Sequence, residues 1–396
     1  MLVKKQFIFE PVDMNLTGRD IQSDPEYRYL NQHHNYLRDL GVDEADVNLK
    51  IQELWESILH DPNKGFTLQT AEDEACIYDT GNNDVRTEGQ SYAMMLAAIL
   101  GDKVFFDNVW RWTIRHMYLT EGPCRGYFAW SVPLDGRPRA EGPAPDGEVF
   151  FIWALIAADK RWGSQPEPHD PLNYGGWATR ILRDVLHRNE GEAPPMWSIN
   201  NLIEFVPGSG FSDPSYHLPH AFEQFADYAP AEDKERWKEI AQASRAYLPL
   251  AAHPVTGLFP EYAHYDGTPE LEHGHGDFYS DAYRCMLNIA VDAIVNEAHP
   301  WQKEIAVNQA RFFATRSDTD TYARYELDGT PTGEPSLHPI GLSASLACTF
   351  AVVDNAHTRQ LAHAFMDLEL RDGDRRYYDN LLFIFCYLAL AGRYSV

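Results

Sequence analysis

The chain is poor in cysteine and in positive charge, and it has no apolar run of membrane-spanning length. Its five cysteines, Cys76, Cys124, Cys285, Cys348 and Cys386, are scattered, odd in number and without a C-x-x-C pair. That argues against a disulfide framework or a thiolate zinc site and fits buried thiols in a reducing compartment. Lysine and arginine total 33 against 59 aspartate and glutamate, giving a net charge of −26. Such a balance argues against nucleic acid and anionic membrane surfaces as partners, and its plain effect is solubility. Residues 1–15 carry Lys4 and Lys5 but no signal-peptide core. The longest late apolar stretch, Leu381 to Ala391, is too short to cross a bilayer. These absences predict a soluble, cytoplasmic protein.

What is present is a large apolar supply with helical spacing. The 396 residues are 44% hydrophobic and 13% aromatic, with 10 Trp and 21 Tyr. Most of those rings belong in a core. A minority can face sugars, because a pyranose C–H face packs on a ring while Tyr and Trp tips still reach hydrogen bonds. The periodicity predicts helices over 27–39, 44–60, 88–100, 104–119, 147–162, 173–188, 214–228, 233–247, 277–296, 299–316, 341–353, 357–369 and 378–392. No low-complexity segment or long linker divides them, so residues 1–396 read as one domain. Residues 1–25 read as an extension that either wraps the body or is disordered. About a dozen helices without a short repeat fit an α/α toroid of six helical hairpins, with an open helical stack as the alternative.

Four times a hairpin signal runs into a polar motif that opens an apolar helix. Ile77 to Arg86 precedes Thr87-Glu88-Gly89-Gln90. Asp135-Gly136 precedes Pro145-Asp146-Gly147-Glu148. Asp266-Gly267 precedes His273-Gly274-His275-Gly276-Asp277 and Ser280-Asp281-Ala282-Tyr283-Arg284. Asp328-Gly329 precedes Leu337-His338-Pro339. Asp-Gly between strand-like residues is a strong turn signal. Pieces such as Thr321 to Tyr325 would form small hairpins on the same side as these helix starts. A helical scaffold that gathers acidic groups at one face suits a hydrolase of neutral polymers such as glycans.

Taken singly, several of these residues have plain structural readings. Glu88 fits a first-turn carboxylate favoured by the helix dipole. Gly89 admits close approach by a ligand or by a neighbouring helix. Asp146 is an N-cap candidate. Asp281 is harder to explain away, because Arg284 lies one helical turn on and would keep its carboxylate ionised. Asp213-Pro214-Ser215-Tyr216-His217 reads as a capped helix start, or as a way to bring the Tyr216 hydroxyl into a cleft. His273, His275 and Asp277 suit zinc or manganese by ligand type. Their spacing is not that of a zinc-protease helix, and histidines bracing a loop is the simpler account. His33, His34 and His338 read one by one as structural. No metal and no cofactor is expected.

Together the motifs carry a resemblance. Thr87-Glu88-Gly89-Gln90-Ser91-Tyr92-Ala93-Met94 resembles the signature around the catalytic acid of family 8 glycoside hydrolases. Tyr127-Phe128-Ala129-Trp130, Asp146-Gly147-Glu148, Asp213-Pro214-Ser215-Tyr216 and Asp281-Ala282-Tyr283-Arg284 follow in the family's order. The likeness spans about residues 75 to 390. It implies an all-α (α/α)6 barrel with small β-hairpins on the active-site side, and an inverting mechanism. By position it implies Glu88 as general acid and Asp281 as general base. Asp146 would hold the distorted sugar just before the cut, and Tyr216 the attacking water. Arg284 matches the arginine of the base motif, Trp130 a sugar-contacting tryptophan, and Tyr378 a residue near the cleft.

Within the family the chain is most similar to exo-acting members that release xylose from the reducing end of xylo-oligosaccharides. Leu337-His338-Pro339 matches the element that blocks their cleft beyond one xylose. Two departures stand out. Ala93 takes a place where glycine is frequent, and Ser280 precedes the base where cellulase-type members often have tyrosine. The second points away from cellulose. The implied partner is a xylo-oligosaccharide, handled by a monomer or weak homo-oligomer. Alternatives are endo-acting xylanases, cellulases or chitosanases of the same family, an α/α-toroid lyase, and a non-catalytic glycan-binding protein.

Overall fold

The structure, a computed structural model, describes residues 32–316 and 322–394. Residues 1–25, the start of the expected 27–39 helix and Thr321 lie outside the described residues. The chain is predominantly helical, as expected. Its helices are α1 (Tyr36–Asp39), α2 (Glu44–Trp55), α3 (Thr87–Leu100), α4 (Lys103–His116), α5 (Pro145–Trp162), α6 (Tyr174–Asp184) and α7 (Pro219–Tyr228). They continue with α8 (Lys234–Ala251), α9 (Arg284–Asn296), α10 (Pro300–Ala314), α11 (Pro339–Ala347), α12 (Thr349–Val352), α13 (Ala356–Met366) and α14 (Arg376–Leu390). Among the described residues no helix is long and apolar enough to cross a membrane.

The long helices fall into two kinds. In α5 every residue from Pro145 to Ala158 is buried, and in α14 every residue from Tyr377 to Leu390. Helix α3 is buried all round except at Glu88. A helix that is apolar on all sides belongs inside. By contrast α4 buries Phe105, Phe106, Val109, Trp110 and Trp112, one stripe of an amphipathic helix. Helix α8 does the same with Trp237, Ile240, Ala241, Ser244 and Leu248. Each large apolar side chain so buried contributes roughly 1.5–3 kcal/mol relative to exposure. Helix α3 packs on α5, α5 on α7, α7 on α9, α9 on α11, α11 on α14, and α14 on α3. Outside them α4 packs on α3, α6 on α5, α8 on α7, α10 on α9, α13 on α11 and α2 on α14.

The strands lie at the starts of the buried helices. Antiparallel β1 (Thr67–Ala71), β2 (Glu74–Asp79), β3 (Asp84–Arg86) and β4 (Ser131–Pro133) form one sheet in that order. Strands β5 (Ala323–Tyr325) and β6 (Pro331–Pro335) form the second. Two of the four turn signals therefore make true hairpins, β2–β3 and β5–β6. Asp135-Gly136 does not, because β4 pairs backward with β3 instead of forward across that turn. Asp266-Gly267 closes a tight turn, His264 N donating to Thr268 O at 2.8 Å, flanked by a single bridge between Ala263 and Pro269. Gly267 has φ +87° and a Cβ there would strike Leu250, so only glycine fits.

Other differences have local causes. The expected 214–228 helix is a 3₁₀ turn at Pro214–Tyr216 followed by α7, because Pro219 disfavours helical φ/ψ at Leu218. The expected 277–296 helix starts as a 3₁₀ turn, Ser280–Tyr283, before α9. The 341–353 helix starts earlier, with Pro339 in its first turn, and is interrupted at Cys348. Cys76, Cys285, Cys348 and Cys386 are buried free thiols, whereas Cys124 is only half-buried.

Candidate active site

Two glycines bring the helix starts together. A Cβ on Gly147 would meet the Thr87 side chain, so the absence of one lets the first turn of α5 close on that of α3. A Cβ on Gly89 would meet the Tyr377 ring, so α14 closes on α3 from the other side. Of the two uses of Gly89 open in the sequence, the structure takes close helix packing. The backbone N–H of Thr87 donates to Trp130 O at 3.0 Å, which fixes the segment before α5 against the start of α3.

At the centre is Arg284, the first residue of α9 and 4% exposed. Its Nη1 lies 3.3 Å from Glu88 Oε2, 3.2 Å from Asp146 Oδ2 and 3.4 Å from the Tyr92 hydroxyl. Its Nη2 lies 3.3 Å from Asp213 Oδ2 and 3.4 Å from Asp281 Oδ1, and its Nε donates to Ser215 Oγ at 3.1 Å. A cation at a helix N-terminus opposes the dipole. Four carboxyls on one guanidinium reverse that balance and leave an excess of negative charge. The excess is relieved by protonation: burial, together with the like charge of neighbouring carboxylates, raises Glu88, Asp146 and Asp213 above the ordinary carboxylate range. For Glu88 the value reaches about 8, with burial as the largest cause. Arg284 and Arg86 pull it down, while Asp146 and Asp281 push it up.

The four carboxyls divide by access. Side chains of Glu88 and Asp281 are 17% and 29% exposed, against 10% for Asp146 and 0% for Asp213. Glu88 and Asp281 are therefore the pair most open to a substrate. Asp146 is not the N-cap of α5. The helix starts at Pro145, and the Asp146 carboxylate instead accepts from Gly147 N at 2.9 Å and meets Arg284.

The remaining candidates surround this centre. Tyr216 and Tyr378 present rings to the Arg284 guanidinium at 5.6 and 5.9 Å. Both hydroxyls are held well above the usual phenol range by burial, so they stay protonated and can donate. Tyr378 donates to Ser280 O at 3.0 Å, next to Asp281, and its ring lies 4.5 Å from that of His338. His338 Nδ1 is 2.8 Å from Asp379 Oδ2. Trp130 stands on the rim, 40% exposed, with Arg86 over its ring at 5.2 Å. Thus Glu88, Asp146, Asp281 and Arg284 meet directly. Tyr216, Tyr378 and His338 join through ring contacts, and Trp130 through Arg86 and the start of α3.

Three further carboxyls, Asp213, Glu261 and Glu148, lie at or near this centre without a catalytic signal in the sequence. Asp213 caps its turn, accepting from Ser215 N at 2.7 Å, and that explanation hid its second contact with Arg284. Glu261 is raised to about 8, chiefly by burial and then by Asp281, and it pairs with His275 Nδ1 at 2.8 Å. Glu148 accepts from Phe128 N at 2.9 Å and is likewise pushed to about 8 by burial. His273 goes to Glu270 at 3.0 Å and Asp277 to Arg324 at 2.7 Å. His273, His275 and Asp277 therefore brace their loop through three separate partners. Among the described residues no group of three His, Cys, Asp or Glu is placed to hold a metal.

The sequence model of glycosyl hydrolases family 8 matches residues 69–392. The chain is 44% identical over 372 residues to a reducing end xylose-releasing exo-oligoxylanase of Halalkalibacterium halodurans, covering 93% of this chain and 95% of the relative. It is 43% identical to a reducing-end xylose-releasing exo-oligoxylanase of Paenibacillus barcinonensis, covering 97% and 100%. The crystal structure of a reducing end xylose-releasing exo-oligoxylanase superimposes with a TM-score of 0.89 at 45% identity, covering 93% of this chain and 98% of that one. Another, of a mutant complexed with xylobiose, superimposes with a TM-score of 0.89 at 43% identity, covering 92% and 97%.

Proposed function

The chain belongs to glycosyl hydrolases family 8, and from that membership we propose that it releases xylose from the reducing end of β-1,4-xylo-oligosaccharides with inversion. Glu88 is the general acid and Asp281 the general base. The observation that carries this assignment is their shared seat on Arg284. Inversion needs one protonated and one ionised carboxyl about 6.5–9.5 Å apart, with water between base and sugar. Contacts of 3.3 and 3.4 Å to the two ends of one guanidinium keep the two carboxyls from being more than about 9 Å apart, an upper limit compatible with that window.

Glu88 gives its proton to the glycosidic oxygen as the bond breaks. Asp281 takes a proton from water that attacks the anomeric carbon from the opposite face. The product is the α-anomer. Asp146, beside both, bonds sugar hydroxyls more strongly as positive charge develops on the ring. Tyr216 holds the attacking water, and Trp130 offers a ring face at the rim. Leu337, His338 and Pro339 close the cleft beyond the first sugar past the cut, with Tyr378 beside them near the cleft. The scaffold reads as one (α/α)6 barrel domain. That reading is supported by the cyclic order in which α3, α5, α7, α9, α11 and α14 pack, each backed by an outer helix.

Xylotetraose labelled at its reducing end tests the substrate and the direction of attack. The expected result is labelled xylose and unlabelled xylotriose as the first products. Labelled xylobiose among the first products would make the enzyme endo-acting. Turnover of cello- or chito-oligosaccharides in place of xylotetraose would move it to another activity of the family.

A further inference from the structure

The segment 336–341, which carries the blocking Leu337-His338-Pro339 into the first turn of α11, is held from several directions. Ser336 N donates to Tyr322 O at 2.9 Å, and its Oγ lies 3.0 Å from the Tyr283 hydroxyl. The Leu337 carbonyl accepts from Arg371 Nη1 at 2.7 Å. His338 Nδ1 lies 2.8 Å from Asp379 Oδ2, and Gly341 N donates to Asp379 Oδ1 at 2.8 Å. Arg371 Nη1 also reaches Asp379 Oδ2 at 2.5 Å. The backbone of Arg371 is fixed in turn by Asn380, whose Oδ1 accepts from Arg371 N at 2.8 Å and whose Nδ2 donates to Arg371 O at 3.1 Å.

Asp379 is fully buried, so it cannot touch a sugar. A buried carboxylate persists only where donors satisfy it. Here Arg371, His338 and Gly341 do so; His338 belongs to the blocking loop and Gly341 to the first turn of α11 that follows it. A carboxylate only accepts, so the proton of the shared bond sits on His338 Nδ1. This fixes the tautomer and the ring plane, in the way that a carboxylate behind a ligating histidine does. Nε2 is then the nitrogen turned away from the clamp. The ring is further confined by Tyr378, whose hydroxyl is tied to Ser280 beside Asp281.

We propose that Arg371 and Asp379 are positioning residues for exo specificity: a clamp, outside the reacting groups, that holds Leu337 and His338 across the cleft and so limits departure to one sugar. The proposal rests on the exo reading given above. Its step from structure to function is rigidity. A loop held by one arginine through its carbonyl, and by one carboxylate through its side chain and a following N–H, cannot swing aside without breaking several charge-assisted bonds at once.

The test uses Arg371, whose side chain is 25% exposed and replaceable without leaving a deeply buried hole. Reducing-end-labelled xylotetraose is given to the wild type, to Arg371→Met, to Arg371→Lys and to a variant shortened within 335–339. Arg371→Met is expected to raise the ratio of labelled xylobiose to labelled xylose about tenfold, the scale of a lost charge-assisted bond. Arg371→Lys should return the ratio towards wild type. A merely structural arginine would lower the melting temperature and total activity without moving the ratio, and that result would overturn the clamp. If the shortened loop releases longer products while Arg371→Met does not, the clamp is wrong and the gate stands. If the shortened loop also leaves the products unchanged, the gate itself is wrong.

Discussion

Glu88→Gln should lower turnover by at least ~10²-fold, the scale of general acid catalysis, and should remove the alkaline fall of the pH–rate profile. Both expectations come from the same burial. With its carboxyl raised to about 8, Glu88 is mostly protonated at neutral pH, which is the form an acid must have. As pH rises through that value the proton is lost, and kcat/KM of the wild type should fall with it. Glutamine has no proton to lose, so whatever activity remains should be flat there. A wild-type profile with no alkaline limb up to pH 9 would remove Glu88 from its role.

The same shift has a stability consequence. A folded value above the ordinary 4.5 means that the native state binds this proton more tightly than the unfolded chain. The contribution is complete below about 4.5 and is lost as pH rises through about 8. Glu88→Gln should therefore gain in melting temperature over the wild type across that interval. A constant difference between the two proteins would mean that Glu88 is not held protonated by the fold.

Asp281→Ala is the second large effect, again at least ~10²-fold in turnover, because the attacking water loses its proton acceptor. It has a further signature. Asp281 is one of two carboxylates whose negative charge helps hold the proton on Glu88. Removing it leaves Arg284 with one partner fewer, so the alkaline limb of the residual activity should move to lower pH. A limb that stays in place would show that the two carboxyls do not sense one another, which contradicts their shared seat on Arg284.

What was legible in the sequence was local. The apolar runs of α3, α5 and α14 announced buried helices. The motifs that open α3, α5, α9 and α11 announced Glu88, Asp146, Asp281 and His338, since each follows its own turn signal within about one helix length of chain. The i,i+3 relation of Asp281 and Arg284 was also visible, because one turn brings them together. Boundaries failed where proline reset the backbone, as at Pro219 and Pro339.

What was not legible depended on contacts distant in sequence. Asp213 had a sufficient local explanation as a cap, so nothing flagged its bond to an arginine 71 residues away. Glu261 reaches the Asp281 neighbourhood only because Glu261 N and Tyr262 N are hydrogen-bonded to the carbonyls of Asp277 and His275. The clamp on His338 joins residues 41 apart, and neither Arg371 nor Asp379 stands in a motif that suggests it. Gly89 was readable as a point of close approach, but only the packed helices say what approaches, and Gly147 gave no such signal.

Proton NMR of xylotriose during hydrolysis tests the central claim most directly, because it reads the stereochemistry before mutarotation blurs it. The paired roles of Glu88 and Asp281 predict xylose and xylobiose appearing together, with the fresh reducing end of xylobiose in the α form. A fresh β signal would contradict a water held between base and sugar, and with it the assignment of Asp281 as the base.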